Sequence, residues 1–115
     1  MTTTASSTPL LKFGIIVLTA ATAAIHLYLG LSSGLPPFVL NGLGYLALLA
    51  ALYLPVPQLA PYRNAVRRLL VRFAALTIVL WLVITGGNST AIGYADKTIE
   101  VLLIILLVAE ARISR

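Results

Sequence analysis

The sequence predicts an all-α protein: an integral membrane four-helix up-and-down bundle with both termini cytoplasmic. Three observations carry that prediction. The 115 residues are 60% hydrophobic and 10% charged, with a mean hydropathy of +1.03, whereas soluble domains average about 45–50% apolar and about 25% charged. Four apolar runs approach the ~20 residues that a helix needs to cross a bilayer. If each run crosses once, Lys12, Arg63, Arg67, Arg68, Arg72, Arg112 and Arg115 share one side and only Lys97 lies opposite. That bias in basic residues places both termini in the cytoplasm. The chain reads as a single transmembrane domain, residues 1–115, multi-pass in the plasma membrane, with no soluble domain appended.

The first helix is expected over about 10–31, after a Thr/Ser-rich tail whose Pro9 suits a first helical turn. A signal peptide is the competing reading, because Lys12 precedes an apolar stretch and Ala21, Thr22 and Ala23 look like a small-residue cleavage site. The run continues to Leu31, too far for a signal core, so the segment is taken as a membrane span. The second helix is expected over 37–54, begun by Pro36 and Pro37 and stopped by Pro55, Pro57 and Pro61. The third, over 64–85, has Asn64 as N-cap and ends at Gly86 and Gly87. The fourth is assigned to 96–113, with its start open between Ala91 and Asp96.

Several chemistries are closed from the outset. Without cysteine there is no disulfide, thiolate nucleophile or Cys-based metal site. No nucleotide-binding loop, activated serine or two-histidine metal spacing is present, so neither an enzyme nor a cofactor is expected. A net charge of +5 could suggest nucleic acid, but the basic residues flank apolar segments. Lipid headgroups are the expected partner, anionic ones on the cytoplasmic face. Arg63, Arg67, Arg68 and Arg72, around the start of the third helix, are the residues expected to snorkel to them.

Depth, at ~1.5 Å per helical residue, gathers the remaining polar residues into the outer leaflet. His26 lies near the outer end of the first helix, Asn41 and Tyr45 in the second, Trp81 in the third, and Asp96 and Glu100 in the fourth. An ionisable group at such depth is costly and normally faces the bundle interior with a partner. Thr19, Thr22, Ala23, His26 and Gly30 recur every three or four residues, a small-and-polar stripe suited to close helix approach. Phe73, Thr77, Trp81 and Thr85 form a matching stripe. Asp96 and Glu100, at i and i+4, repel each other and favour a cation or proton nearby. The expected pairing joins His26 to Glu100, with hydrogen bonds from Asn41 and Tyr45, while the inner leaflet is expected to be almost wholly apolar. Tyr28, Tyr53, Tyr62 and Trp81 are read as interface anchors, and Gly42 and Gly44 as close-packing positions.

In the segments "IHLYLG", "LNGLGYL", "TIVLW" and "DKTIEVLLIILL" the chain resembles a family of small prokaryotic four-helix membrane proteins carrying a domain of unknown function. That resemblance implies the fold and the membrane but no activity. In size alone the chain is also similar to small multidrug resistance transporters and to doxX-like proteins. The former place a carboxylate in their first helix, where this chain has His26. Three functions stay open. A binding or accessory protein would use His26, Asn41, Tyr45 and Glu100 for a small amphiphile or a partner helix, alone, as a homo-oligomer or in a larger membrane complex. A proton-coupled transporter would exchange protons between Glu100 and His26. A redox subunit would use Tyr45, Trp81 and His26.

Overall fold

The computed structural model describes residues 2–113, with side-chain environments from residue 9 onward. The described chain is four α-helices without strands: α1 (Thr2–Ser33), α2 (Pro36–Tyr53), α3 (Arg63–Thr85) and α4 (Ala91–Ile113), with a 3₁₀ turn over Pro57–Tyr62 between α2 and α3. Each helix packs chiefly on its neighbours in chain order, and α4 closes the ring on α1. Short connections make neighbours antiparallel, so α2 and α4 run parallel across a diagonal.

Local sequence explains the breaks. Gly34 takes φ 65° between α1 and α2, where the Leu35 N–H reaches back to the Gly30 carbonyl at 2.8 Å. Pro36 and Pro37 then occupy the first turn of α2, where a missing N–H costs nothing. Gly86 closes α3 in the left-handed conformation, φ 66°, with its N–H on the Leu82 carbonyl. Two expected boundaries differ. The helix begins at Thr2 and runs through Pro9, because one proline removes one backbone bond and leaves the others. The last helix begins at Ala91, since Thr90 is an N-cap whose Oγ1 accepts the Gly93 N–H at 3.3 Å.

Side chains at alternating steps of three and four turn one stripe of each helix inward. On α4 the stripe is Asp96, Glu100, Leu103, Leu107 and Glu110; on α3 it is Arg67, Leu70, Ala74 and Thr77; on α2 it is Gly42, Tyr45 and Leu52. Ile15, Thr19, Thr22 and His26 do the same on α1. Glycine sets the spacing. A Cβ on Gly42 would lie 2.9 Å from the Ala23 carbonyl oxygen, and one on Gly44 would lie 2.6 Å from the Phe73 ring.

The outside is strongly apolar. Leu10, Leu31, Val83 and Ile84 are each about three-quarters exposed. Three segments, Pro9–Ser33, Pro36–Tyr53 and Pro57–Thr85, are long and apolar enough to cross a membrane. α4 is not among them, because Asp96, Lys97, Glu100, Glu110 and Arg112 interrupt it. Its acids, however, all point inward, and Val101, Leu102, Ile105 and Val108 are what it presents outside.

Candidate functional site

The buried stripes carry two polar clusters, one toward each end of the bundle. In the first, α1, α2 and α4 converge. Tyr45 donates across the diagonal to Glu100 Oε2 at 2.7 Å. The Thr22 hydroxyl lies 2.5 Å from Asp96 Oδ1 and 3.2 Å from Glu100 Oε2; its single proton goes to the nearer oxygen. Lys97 Nζ lies 3.1 Å from Asp96 Oδ2 and 2.6 Å from Glu100 Oε1, and 5.9 Å from the centre of the Trp81 ring. The cation that two neighbouring carboxylates call for is thus supplied from between them in sequence.

His26 faces Asp96, with Nε2 3.7 Å from Oδ2. Its Nδ1 lies 2.9 Å from the Thr22 carbonyl, which can only accept, so Nδ1 carries a hydrogen. The expected His26–Glu100 pair is therefore replaced by His26–Asp96, because one helical turn further along α4 Glu100 is already taken by Tyr45 and Lys97. Ligand atoms of His26, Asp96 and Glu100 lie within 4.8 Å of one another, a donor set in which the Lys97 ammonium occupies the carboxylate side.

Above this cluster a pocket of about 350 Å³ opens between the C-terminal ends of α1 and α3 and the N-terminal ends of α2 and α4. His26, Asp96 and Lys97 line its polar side, and Phe38, Leu80 and Ile84 are among its apolar walls. Asn41 does not reach Glu100. Its Nδ2 donates to Thr77 Oγ1 at 2.9 Å, and that hydroxyl spends its own proton on the Phe73 carbonyl. This fixes the amide orientation and leaves Asn41 Oδ1 buried without a partner, as is the indole Nε1 of Trp81. Both residues line the pocket. Tyr94 stacks edge-on against Trp81, centroids 5.7 Å apart, and donates to the Gly87 carbonyl, tying the α3–α4 connection to the rim.

The second cluster corrects the expectation of an apolar inner half. Arg67 Nε bonds Glu110 Oε1 at 2.9 Å, and its NH1 reaches Asn64 Oδ1 at 2.6 Å. Tyr53 donates to Glu110 Oε2 at 2.8 Å, and Lys12 lies over the Tyr53 ring at 5.3 Å. Arg67 is 7% exposed and Glu110 2%. Arg67 is therefore a core residue and not a headgroup ligand, and the half-buried Tyr53 turns its hydroxyl inward to Glu110. Arg63 also turns back, its NH2 capping the Leu54 carbonyl at 2.6 Å. Arg68 and Arg72 remain exposed. Between the clusters lie Leu52, Leu70, Ala74, Leu103 and Leu107, all fully buried; Glu100 to Glu110 along α4 spans roughly 15 Å.

Lys97 and Glu110 are the residues that sequence reasoning missed. Glu110 was findable, since it continues the three-and-four stripe of Asp96 and Glu100. No family model matches the chain, and no curated protein or solved structure matches it significantly.

Proposed function

We propose that this chain is a multi-pass protein of the prokaryotic plasma membrane, with both termini cytoplasmic, whose outer-end pocket holds a neutral amphiphile carrying a hydroxyl or amide head. Support for membrane insertion comes from the apolar exterior and from α4, whose acids are hidden inside the bundle and so do not meet lipid. Support for the orientation comes from charge. Lys97, the one basic residue at the pocket end, is neutralised by Asp96 and Glu100, which leaves the excess of positive charge at the other end.

The ligand class rests on one observation: an unpaired acceptor, Asn41 Oδ1, and an unpaired donor, Trp81 Nε1, belong to two residues that line one pocket. Buried polar atoms are normally paired, and a group that both donates and accepts would satisfy the two together. Lys97 and the hydroxyls of Thr22 and Tyr45 already engage the two carboxylates, so a neutral head fits the site better than an anionic one. The volume lies at the small end of the ~300–1,000 Å³ typical of ligand pockets. The fully buried apolar layer between the two clusters favours holding a ligand over passing one through.

Trp81 is the only tryptophan, so its fluorescence reads the pocket directly. Titration of the purified protein in detergent with dodecanol is expected to shift its emission saturably, and dodecane is not. Asn41→Leu is expected to weaken the alcohol's apparent affinity about tenfold, the worth of one lost hydrogen bond. An alkane response equal to the alcohol's, or unchanged affinity in Asn41→Leu, contradicts the assignment.

A further inference from the structure

At the end opposite the pocket, α3 and α4 enclose a second groove, of about 510 Å³, lined by Arg68 and Arg72 from α3, Arg112 from α4, and the apolar side chains of Val71, Leu107 and Val108. We propose that this groove binds an anionic phospholipid, with its phosphate held by Arg68, Arg72 and Arg112 and an acyl chain lying along the apolar wall.

The sequence contains three acidic side chains. Each is buried and paired: Glu110 with Arg67, and Asp96 and Glu100 with Lys97. No side-chain carboxylate is left for Arg68, Arg72 or Arg112, yet Arg68 and Arg72 share one face of α3 at i and i+4, and Arg112 comes from the facing helix into the same groove. Three like charges drawn together call for an anion from outside the chain. Guanidinium forks match the paired oxygens of a phosphate, and basic pockets between helices on the cytoplasmic side suit acidic lipid heads. Arg67 also borders the groove, but Glu110 engages it from behind.

The apolar half of the lining selects the source of the phosphate. A free anion would leave Val71 and the 41%-exposed Val108 uncovered, whereas a lipid covers them with its chain. The proposal rests on membrane insertion but not on the content of the outer pocket, so either site can fail alone.

The test is native mass spectrometry of delipidated protein in detergent, titrated separately with phosphatidylglycerol, phosphatidylcholine and inorganic phosphate. Wild type is expected to retain one phosphatidylglycerol about tenfold or more tightly than phosphatidylcholine. The triple variant Arg68→Gln/Arg72→Gln/Arg112→Gln is expected to lose that preference, and Arg63→Gln, outside the groove, to keep it. Thermal midpoints without lipid report whether each variant is folded, and the wild-type comparison of the two lipids stands by itself if one is not. Equal retention of both lipids by wild type, an unchanged preference in the folded triple variant, or equal loss in Arg63→Gln overturns the proposal. Saturation by inorganic phosphate with no lipid preference assigns the groove to a free anion and overturns the lipid as occupant.

Discussion

Replacing Arg67 by Met is expected to destabilise the bundle by about 3–5 kcal/mol, the usual consequence of leaving a buried charge without its partner. Glu110 is 2% exposed and would retain only the Tyr53 hydroxyl, which cannot balance a carboxylate. The reverse change, Glu110→Leu, is expected to cost less. Arg67 borders the open α3–α4 groove and keeps Asn64 as an acceptor, so its long side chain can carry the charge outward. The double variant Arg67→Met/Glu110→Leu is expected to regain most of the loss, because well-packed apolar residues often replace a buried ion pair without penalty. Denaturant-induced unfolding in detergent, followed by circular dichroism, measures all three. A double variant as unstable as Arg67→Met would mean that the position, and not the uncompensated charge, sets the cost.

The second large effect is expected at Lys97. Met at this position leaves Asp96, 3% exposed, and Glu100, fully buried, facing one another with no cation between them. The loss is expected to be of the same order, about 3–5 kcal/mol, and Lys97→Arg is expected to restore much of it by restoring the charge. Adding Asp96→Asn to Lys97→Met removes one of the two repelling groups and is expected to recover stability in part. The Trp81 emission should change in Lys97→Met as well, since the ammonium lies over the indole ring. Thr98→Val, on the exposed face where Thr98 bonds only its own helix, serves as the reference and should change little. A Lys97→Met protein as stable as this reference would show that the carboxylates do not need the lysine.

Both effects come from features that composition concealed. Four apolar runs and their proline and glycine stops could be read directly, because lipid-crossing length and helix termination are local properties. The gathering of His26, Tyr45 and Glu100 at one level could also be read, from rise per residue alone. Rotation could not, since adjacent residues differ by about 100° around a helix axis. That is why Arg67 enters the core while Arg68 stays outside, and why a run of arginines looked uniformly peripheral.

The three-and-four stripe supplies that rotation. Followed from Asp96 through Glu100, Leu103 and Leu107 it arrives at Glu110, and followed back from Thr77 through Ala74 and Leu70 it arrives at Arg67. An acid and a base in phase with the core at the same end of antiparallel helices are candidates for each other. Lys97 lies off that stripe, and only its length lets it fold back between the carboxylates. The Asn41 orientation depends on where the Thr77 hydroxyl sends its proton, a three-residue relation with no counterpart in sequence spacing.

A neutral amphiphile is expected in the outer pocket, between Asn41 and Trp81. Native mass spectrometry of the protein extracted gently from its own membrane tests this most directly. The predicted result is one neutral small-molecule adduct per chain, distinct in mass from phospholipid, that is lost in Asn41→Leu/Trp81→Phe. A wild-type chain carrying no such adduct, or an adduct retained equally by the double variant, would contradict it.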